Sequence, residues 1–454
     1  MSIFPDIDAT CSSLGYHDGV KYHADTDFLQ CLKHLIWILR RDGETHEYRR
    51  YIGHKQLLKS DLLPMLLDCS EDTEVADVLL RLLVNFTNPA LLLYREELPK
   101  DNVGRRNFLE LVEILQRYKE SFAVDAVWAL LGKRLEKTLE IDWAERSEDQ
   151  GLTIERILVL ARNVLQVPSD PDLERRTDND ANVHDQIIWS MNQAGFLDLV
   201  LFVLSSESEQ QYHLHALEII FLVYREQNAA SLAEATVSRS AAEKYKDEQE
   251  LIAARQSERT KQEFKKLPGR HSRFGGTFIM QNIKSISDNP IICHQAIEKV
   301  MDMNFDKDKK KQKRNFRLAP EQEKFERRSA LSVRLFLREF CIEILRSAYN
   351  TLVRHVRRVL ERSAGQGHDD SYLLWAMRFF MEFNRLNGFK VDLVSESLST
   401  NCFHWVVQRI QHHLDMIDSD KRHARIWGKR LHIALQVNRF KCFNSNQKFN
   451  FTLQ

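Results

Sequence analysis

The residues of this 454-residue chain best suited to chemistry are basic side chains in its second half, because Lys and Arg bind phosphate groups. One group leads into a Gly-Gly loop, a second forms a polybasic run, and a third lies in a segment with helical periodicity. Without a base-reading motif, they predict salt-sensitive, sequence-independent contacts with the duplex DNA backbone. The three groups are Lys265, Lys266, Arg270 and Arg273; Lys309, Lys310, Lys311, Lys313 and Arg314; and Arg354, Arg357 and Arg358.

Two of these groups have a second interpretation. The run from Lys307 to Arg314 also has the composition of a nuclear import signal. Arg354 and Arg358 are four residues apart and share one face of the predicted helix, as they would on a solvated surface without a ligand. We therefore assign the basic residues to DNA or import contacts and keep a solvated face as the alternative for the third group.

The loop that follows Arg270 has an unusual composition. Gly275 and Gly276 allow backbone angles that other residues resist, and His271 and Phe274 stand just before them. We predict that these four residues form a flexible contact loop. An ordered turn that happens to be basic is the alternative.

Known enzyme signatures are missing from the sequence, including phosphate-binding, dinucleotide-binding, hydrolase, metalloprotease and EF-hand motifs. His213 and His215 are two residues apart and point to different helix faces. We interpret His412, His413 and Asp415 as polar helix surface and not as metal ligands. Seven scattered cysteines without a CxxC pair argue against a zinc site and a disulfide framework. We predict a non-enzymatic protein without metal, cofactor or small-molecule substrate.

Charge is divided between the two halves of the chain, although the whole chain is neutral. Residues 1–200 contain 35 Asp and Glu against 23 Lys and Arg, whereas residues 201–454 contain 30 against 42. The excess of basic residues in the second half predicts an anionic partner, with attraction between the halves as the alternative. No segment reaches the roughly 18 uninterrupted apolar residues of a membrane span, so we expect no membrane contact.

Helical periodicity dominates the chain on both sides of the basic segments. Apolar residues recur every three or four positions from Phe28 to Leu39, from Val75 to Leu83 and from Leu331 to Leu345. Asn85 and Asn163 each follow such a run, and their separation of 78 positions is close to two armadillo or HEAT repeats of roughly 40 residues. In such arrays a buried Asn can tie a helix to its neighbour, so we predict structural roles for both.

These patterns predict an all-α fold, a right-handed α-solenoid of armadillo/HEAT-like helical repeats with a charged, partly disordered central insertion. Composition divides the chain into four regions. They are a helical-repeat block at 1–230, a basic insertion with the Gly-Gly loop at 231–318, a second helical block at 319–437 and an unstructured tail at 438–454.

Six segments, in order along the chain, resemble the Timeless family. The resemblance implies a non-enzymatic helical scaffold, the larger subunit of the nuclear replication fork protection complex, which stabilises forks and supports the S-phase checkpoint and sister-chromatid cohesion. It also implies binding to a Tipin-like protein, to replisome subunits such as the helicase and polymerase, and to DNA. The segments are Cys11–Gly15, Ser60–Pro64, Arg81–Pro89, Ile154–Asn163, His184–Gln186 and His271–Asp288.

The family also contains circadian clock regulators. Clock-type members carry a long acidic, Ser-rich insertion where this chain has short basic segments, so we predict the replication type. A clock regulator that binds proteins through the same solenoid is the alternative. An import-adaptor-like armadillo protein would need regularly spaced Trp residues, and those of this chain are scattered. Because family members are usually longer than 454 residues, we expect a shortened form or a partial product.

Overall fold

A computed structural model describes most of the two predicted helical blocks. The chain divides into two compact units, one of residues 1–174, 179–238 and 324–454, and one of residues 175–178 and 239–323. Apart from residues 175–178 and 319–323, both predicted helical blocks fall within the first unit. The described residues are 4–18, 21–68, 73–95, 98–168, 182–235, 277–280, 291–294, 331–362, 369–419, 421 and 423–451.

The first unit consists mainly of helices, with a short hairpin near its beginning. Its elements are α1 (Phe4–Ser12), β1 (Gly15–His17), β2 (Tyr22–Ala24), α2 (Phe28–Arg40), α3 (Glu47–His54), a π-helix (Leu58–Leu62), α4 (Leu63–Asp68), α5 (Thr73–Thr87), α6 (Ala90–Leu93), α7 (Asn102–Ser121), α8 (Asp125–Leu139), α9 (Glu148–Gln166), α10 (Val183–Gln193), α11 (Phe196–Ser205), a 3-10 helix (Gln210–Tyr212), α12 (His213–Tyr224), α13 (Ala229–Ala233), α14 (Leu331–Ser347), α15 (Tyr349–Arg362), α16 (Ser371–Leu386), a 3-10 helix (Val391–Val394), α17 (Thr400–Ser419) and α18 (Ala424–Phe451).

Successive helices of this unit stack in two layers. One layer contains α2, α5, α9, α12, α16 and α18, each packed on the next, and the other contains α4, α8, α11 and α15. Helices also pair across the layers, as α8 with α9, α11 with α12 and α15 with α16. Repeats that bury their faces against their neighbours define an α-solenoid, so the predicted all-α solenoid is confirmed.

The apolar periodicity of the sequence fills the interior of the stack. Leu32, Leu35 and Leu39 of α2 are buried, and so are Leu79 and Leu83 of α5. Burying a side chain of this size stabilises the fold by about 1.5–3 kcal/mol relative to exposure. The predicted helical stripes therefore form the contacts between neighbouring repeats.

Among the described helices none is by itself long and apolar enough to cross a membrane. The pair α10 and α11 together has the required length and composition, but the two are bent by 73° at their junction.

Two antiparallel hairpins depart from the helical prediction. β1 pairs with β2, and β3 (Thr277–Met280) pairs with β4 (Ile291–His294) in the second unit. Strands of three or four residues are too short to show a period of two, which explains why neither was predicted. β3 begins directly after Gly276 of the Gly-Gly loop. The predicted insertion at 231–318 therefore contains a hairpin as well as the end of α13, and its other residues beyond Ala235 lie outside the described part of the chain.

The boundaries of the second helical block also differ from the prediction. Leu331 is the first described residue of α14, and residues 319–330 lie outside the described part. Helix α18 continues to Phe451, where an unstructured tail was predicted from residue 438. Extending a helix already anchored by the buried Ala434 and Val437 is easier than nucleating one, so the aperiodic composition of the tail did not end the helix.

Candidate nucleic-acid and partner-binding surfaces

Two of the three predicted basic groups and the predicted contact loop lie outside the described residues. Their roles remain predictions, and only the third basic group is visible. The residues outside the described part are Lys265, Lys266, Arg270, His271, Arg273, Phe274, Gly275, Gly276, Lys309, Lys310, Lys311, Lys313 and Arg314.

The third basic group lies on α15, and the apolar face of this helix packs against neighbouring helices of the first unit. Arg354 is 41% exposed, but its Nε donates a hydrogen bond to Glu396 Oε1 at 2.6 Å. That hydrogen bond and the charge of Glu396 raise the pKa of Arg354, which is charged at any physiological pH in either case. The guanidinium of Arg354 therefore already has an anionic partner within the protein.

Arg357 and Arg358 lie on different faces of α15. Arg357 is four residues after Val353 and three before Leu360, so it shares the core face. It is 9% exposed, and its Nη1 lies 3.3 Å from Glu361 Oε1. Arg358 points to solvent. Arg357 therefore has little surface to offer a phosphate group, and of the three predicted Arg residues Arg358 is the most exposed.

α15 is joined to the first helical block by a buried pair of histidines. The rings of His213 on α12 and His355 on α15 are 5.3 Å apart, and His213 Nε2 lies 3.1 Å from the carbonyl oxygen of Ser206. Burial lowers the pKa of both histidines, and at His355 the charge of Glu207 opposes this effect whereas those of Arg358 and Arg354 add to it. The joint is therefore built from neutral imidazoles.

The two predicted structural asparagines have different surroundings. Asn163 on α9 is fully buried, and its Nδ2 lies 3.5 Å from the Val84 carbonyl and 3.4 Å from Asn88 Oδ1 at the end of α5. Asn85 is half-buried, and its Nδ2 donates to the carbonyl of Arg81 in its own helix at 2.9 Å. Only Asn163 therefore has the cross-helix tie that the repeat pattern predicted.

The backbone of Asn85 makes a separate contact, with α3. Its carbonyl accepts a hydrogen bond from the guanidinium of Arg49, a residue that is 6% exposed. Because a helix leaves its last carbonyls without intrahelical partners, a cation at the end of α5 satisfies one of them. The sequence gives no signal for this contact, since Arg49 is distant in the chain.

The Cys11–Gly15 and Ser60–Pro64 segments fit together around Tyr22. Gly15 has a φ of +137°, and a Cβ there would lie 2.2 Å from the carbonyl oxygen of His23, so only glycine fits. The Tyr22 hydroxyl donates to Asp61 Oδ1 at 3.1 Å, and its backbone N–H donates to Asp68 Oδ2 at 2.7 Å. These two segments thus have a structural explanation that requires no ligand.

The His184–Gln186 segment is also part of the interior. Lys119 Nζ donates to the carbonyl of Val167 at 2.8 Å and lies 3.3 Å from His184 Nδ1. Burial, and secondly the charge of Lys119, hold the pKa of His184 well below its ordinary value. A neutral His184 accepts from this buried ammonium, so the pair anchors the end of α9 to α7 and α10.

Ion pairs link successive helices of the layer that contains α2, α5, α9 and α12. Lys33 pairs with Glu74 at 2.8 Å, Arg156 pairs with Asp77, and Arg162 pairs with Glu218 at 3.0 Å. Each pair joins one helix to the next. Because these cations already have carboxylate partners, this edge of the layer is a poor phosphate-binding surface.

A buried ion pair that sequence reasoning missed holds the loop before α9. Arg146 donates through Nη1 and Nη2 to the two carboxylate oxygens of Glu209 at 2.9 and 3.0 Å, and both side chains are 4% exposed. The bonds to Glu209 raise the pKa of Arg146. Bidentate pairing in a fork is the strong form of this interaction, so the pair fixes the α8–α9 connection to the start of α12.

The interpretation of His413 as polar surface is wrong. His413 is fully buried, its Nε2 is 3.2 Å from Asp370 Oδ2, and its ring is 5.7 Å from that of Trp427. The packing of α17 on α18 and on the segment before α16 buries this position. Among the described residues no group of three His, Cys, Asp or Glu side chains is arranged to hold a metal ion.

Comparison with known proteins shows which family and which sequences this chain resembles. The family model described as Timeless protein matches residues 21–280. The chain is 42% identical to "Protein timeless homolog" of Homo sapiens over 432 residues, which are 94% of this chain and 36% of that protein. It is 26% identical to "Protein timeless" of Drosophila melanogaster over 235 residues, which are 50% of this chain and 17% of that protein.

A fungal relative extends the comparison. The chain is 25% identical to "Topoisomerase 1-associated factor 1" of Aspergillus terreus over 414 residues, 84% of this chain and 36% of the fungal protein. The chain thus spans little more than a third of the length of its human and fungal relatives.

Proposed function

Because the chain belongs to the Timeless family, we propose that it is a non-enzymatic nuclear scaffold of the replication fork protection complex. In this function the solenoid binds a Tipin-like protein and replisome subunits such as the helicase and polymerase. The basic segments lie along duplex DNA without reading its sequence. The assembly stabilises forks and supports the S-phase checkpoint and sister-chromatid cohesion.

The observation that carries the proposal is the basic second half of the chain. Residues 201–454 contain 42 Lys and Arg against 30 Asp and Glu. Some of the described Arg side chains, such as Arg354 and Arg357, already pair with carboxylates of the same protein. Arg358 and Arg362 on α15 and Arg346 on α14 are exposed to solvent and can contact phosphate groups. The name of the fungal relative, which describes association with topoisomerase 1, supports a role on duplex DNA.

Duplex DNA binding across a salt series tests the DNA part of the proposal. Each phosphate contact contributes about −0.9 to the slope of log affinity against log salt. Changing Lys309, Lys310, Lys311, Lys313 and Arg314 together to Gln is expected to flatten that slope by several units. Changing Arg358 to Gln is expected to flatten it by about one unit.

A matched control comes from the acidic half of the chain. Lys59 is exposed on the π-helix, so Lys59→Gln is expected to leave both affinity and slope unchanged. If the fivefold variant binds DNA with unaltered affinity and slope, the polybasic run is not a DNA contact. An import assay with the same variant then distinguishes a nuclear import signal from a solvated segment.

The partner part of the proposal has a separate test. Co-purification of the chain with its cognate Tipin-like protein, followed by sedimentation, is expected to give a one-to-one complex. Complex formation that survives all the charge substitutions above would show that the solenoid and the basic segments bind different partners. Absence of a complex at micromolar concentrations would contradict the scaffold proposal.

A circadian clock regulator is the second candidate, and the similarity to Drosophila "Protein timeless" over half of the chain favours it. This function uses the same solenoid for protein binding and needs no DNA contact. If the chain binds a clock repressor protein and does not bind DNA at physiological salt, the result would favour this candidate over the fork scaffold.

A further inference from the structure

Helix α17 carries an apolar stripe that the fold leaves uncovered. Phe403, Val407 and Leu414 are 37%, 41% and 43% exposed, and Ile410 and Ile417 are half-buried. Among the described residues no other helix exposes three large apolar side chains to this extent. Isolated exposed apolar residues are normal on protein surfaces, but a contiguous set on one helix marks an interaction surface.

The spacing of this stripe is that of a heptad repeat. Its five members follow one another at intervals of four, three, four and three residues, the pattern by which one helix packs along another. The helix meets its own protein with a different face, formed by Cys402, Trp405, Val406 and His413, all of which are buried. The two faces are roughly 100° apart around the helix. α17 therefore has two apolar faces and uses one of them inside the solenoid.

The charges beside the stripe select the kind of helix that fits it. His404 and Gln411 border its first part on the solvent side, and Asp415 and Asp418 are exposed beside its last part. Gln411 Nε2 donates to Asp415 Oδ1 at 3.2 Å, and no cationic side chain among the described residues pairs with either carboxylate. The C-terminal end of the helix dipole adds to the negative potential there. A partner with Lys or Arg opposite these carboxylates is favoured.

We propose that this stripe binds an amphipathic helix of a partner protein. The partner helix has apolar side chains at heptad spacing and Lys or Arg residues facing Asp415 and Asp418. A second copy of this chain does not fit as well. It offers the same two carboxylates, and its nearest cation on α17, Arg409, is half-buried and lies 5.7 Å from the ring centre of Trp405 on the inner side.

Synthetic helices test this proposal on the full chain. The probes are two 21-residue amphipathic peptides with Leu at the heptad positions, one with Lys and Arg flanks and one with Glu flanks. In fluorescence anisotropy the basic-flanked peptide is expected to bind at least about tenfold more tightly, because charge complementarity sets the choice of partner in such interfaces. Equal affinity, or no binding of either peptide, would overturn the proposal.

Two sets of variants locate the binding site. Val407→Glu combined with Leu414→Glu is expected to abolish binding of the basic-flanked peptide. Val103→Glu, a control at a side chain 68% exposed in the first turn of α7, is expected to leave binding intact. Binding that survives the double change would place the peptide elsewhere and refute the assignment.

A charge reversal provides the sharpest readout. Because Asp415 and Asp418 are exposed, Asp415→Lys with Asp418→Lys leaves the core untouched and is expected to invert the preference toward the acidic-flanked peptide. Unchanged preference would overturn the assigned partner charge. Sedimentation tests the other occupant, a second copy of the chain. The unmodified chain is expected to sediment as a monomer. Self-association that Val407→Glu with Leu414→Glu abolishes would identify the stripe as an interface between copies and overturn the proposal. None of these measurements involves DNA or the Tipin-like protein, so they can fail independently of the proposed function.

Discussion

The joint between α5 and α9 and the region of α15 and α17 use the same residue types in opposite ways. At the first joint the buried amide of Asn163 and the Arg156–Asp77 ion pair connect the two helices, Arg49 of α3 caps the end of α5, and the segments that resemble the family are part of this joint. In the second region Arg358 and the apolar stripe of α17 face solvent. In the described first block, the segments that resemble the family hold neighbouring repeats together. The candidate binding surfaces lie instead on helices that contain none of these segments.

The largest expected effect comes from the buried ion pair of the first block. Glu209→Gln leaves Arg146 charged and buried without its carboxylate, and breaking such a pair costs about 3–5 kcal/mol. Chemical denaturation is expected to show a loss of this size in the free energy of unfolding. Glu396→Gln, which breaks the partly exposed pair with Arg354, provides the contrast and is expected to change stability little. Similar losses for both variants would contradict the contrast between the buried ion pair of the first helical block and the partly exposed pair at α15.

Asn163 is expected to have the next largest effect. Asn163→Ala removes a fully buried amide that joins α9 to the end of α5, and the cost is about 1–3 kcal/mol because polar groups of Thr87 and Asn88 lose a neighbour. Asn85→Ala removes only a half-buried bond within one helix. It is expected to cost less than about 1 kcal/mol in the same denaturation experiment. Equal costs would show that the cross-helix tie contributes nothing beyond helix propensity.

Acid is expected to weaken the joint between the two blocks, with a smaller effect than either substitution. Burial lowers the folded-state pKa of His213 and His355, whereas the unfolded chain binds protons near the ordinary value of about 6.5. Protons therefore favour the unfolded state below that pH, so stability is complete above about 6.5 and falls as the pH decreases. The free energy of unfolding measured between pH 7.5 and 5.5 checks the direction.

A histidine substitution serves as the control for this pH dependence. Gln in place of His213 preserves a donor for the Ser206 carbonyl but does not titrate, so His213→Gln is expected to flatten the profile. A profile as steep as that of the unmodified chain would assign the acid sensitivity to other buried histidines such as His184.

The smallest expected change concerns the outward region and its proposed ligand. Glu396→Ala releases Arg354 from its ion pair, and a partly exposed pair of this kind contributes only about 0–1 kcal/mol to stability. The released guanidinium is expected to steepen the salt dependence of DNA binding by about one phosphate contact. A slope unaffected by Glu396→Ala and by Arg358→Gln would remove α15 from the DNA contact surface.

Much of the fold was predictable from local sequence. The apolar stripes of α2, α5 and α14 predicted helices at those positions, since a helix that buries one face repeats apolar residues every three or four positions. The short hairpins were not predicted, and the continuation of α18 into the expected tail was not predicted either. Strands of three or four residues carry too little periodicity, and helix extension depends on anchoring by earlier turns.

The candidate site was less predictable, because exposure of a charged side chain depends on what packs beside it. Arg354, Arg357 and Arg358 look alike in the sequence, yet one pairs with Glu396, one is buried near Glu361 and one faces solvent. His413 shows the same limit, because a polar residue among polar neighbours became fully buried through the packing of α18. Glu396 lies 42 residues from Arg354, and Asp370 lies 43 residues from His413, so neither contact could be read from the local sequence.

The sequence by itself determined the helical character, the solenoid class, the division of charge between the halves and the family, because periodicity and composition are local properties. Only the tertiary structure decided which asparagine ties two helices, which arginine is exposed and that α17 has a second apolar face, which its own described neighbours leave uncovered. Those outcomes depend on the residues that pack beside each side chain. Many of these neighbours are distant in the chain, so local sequence does not determine them.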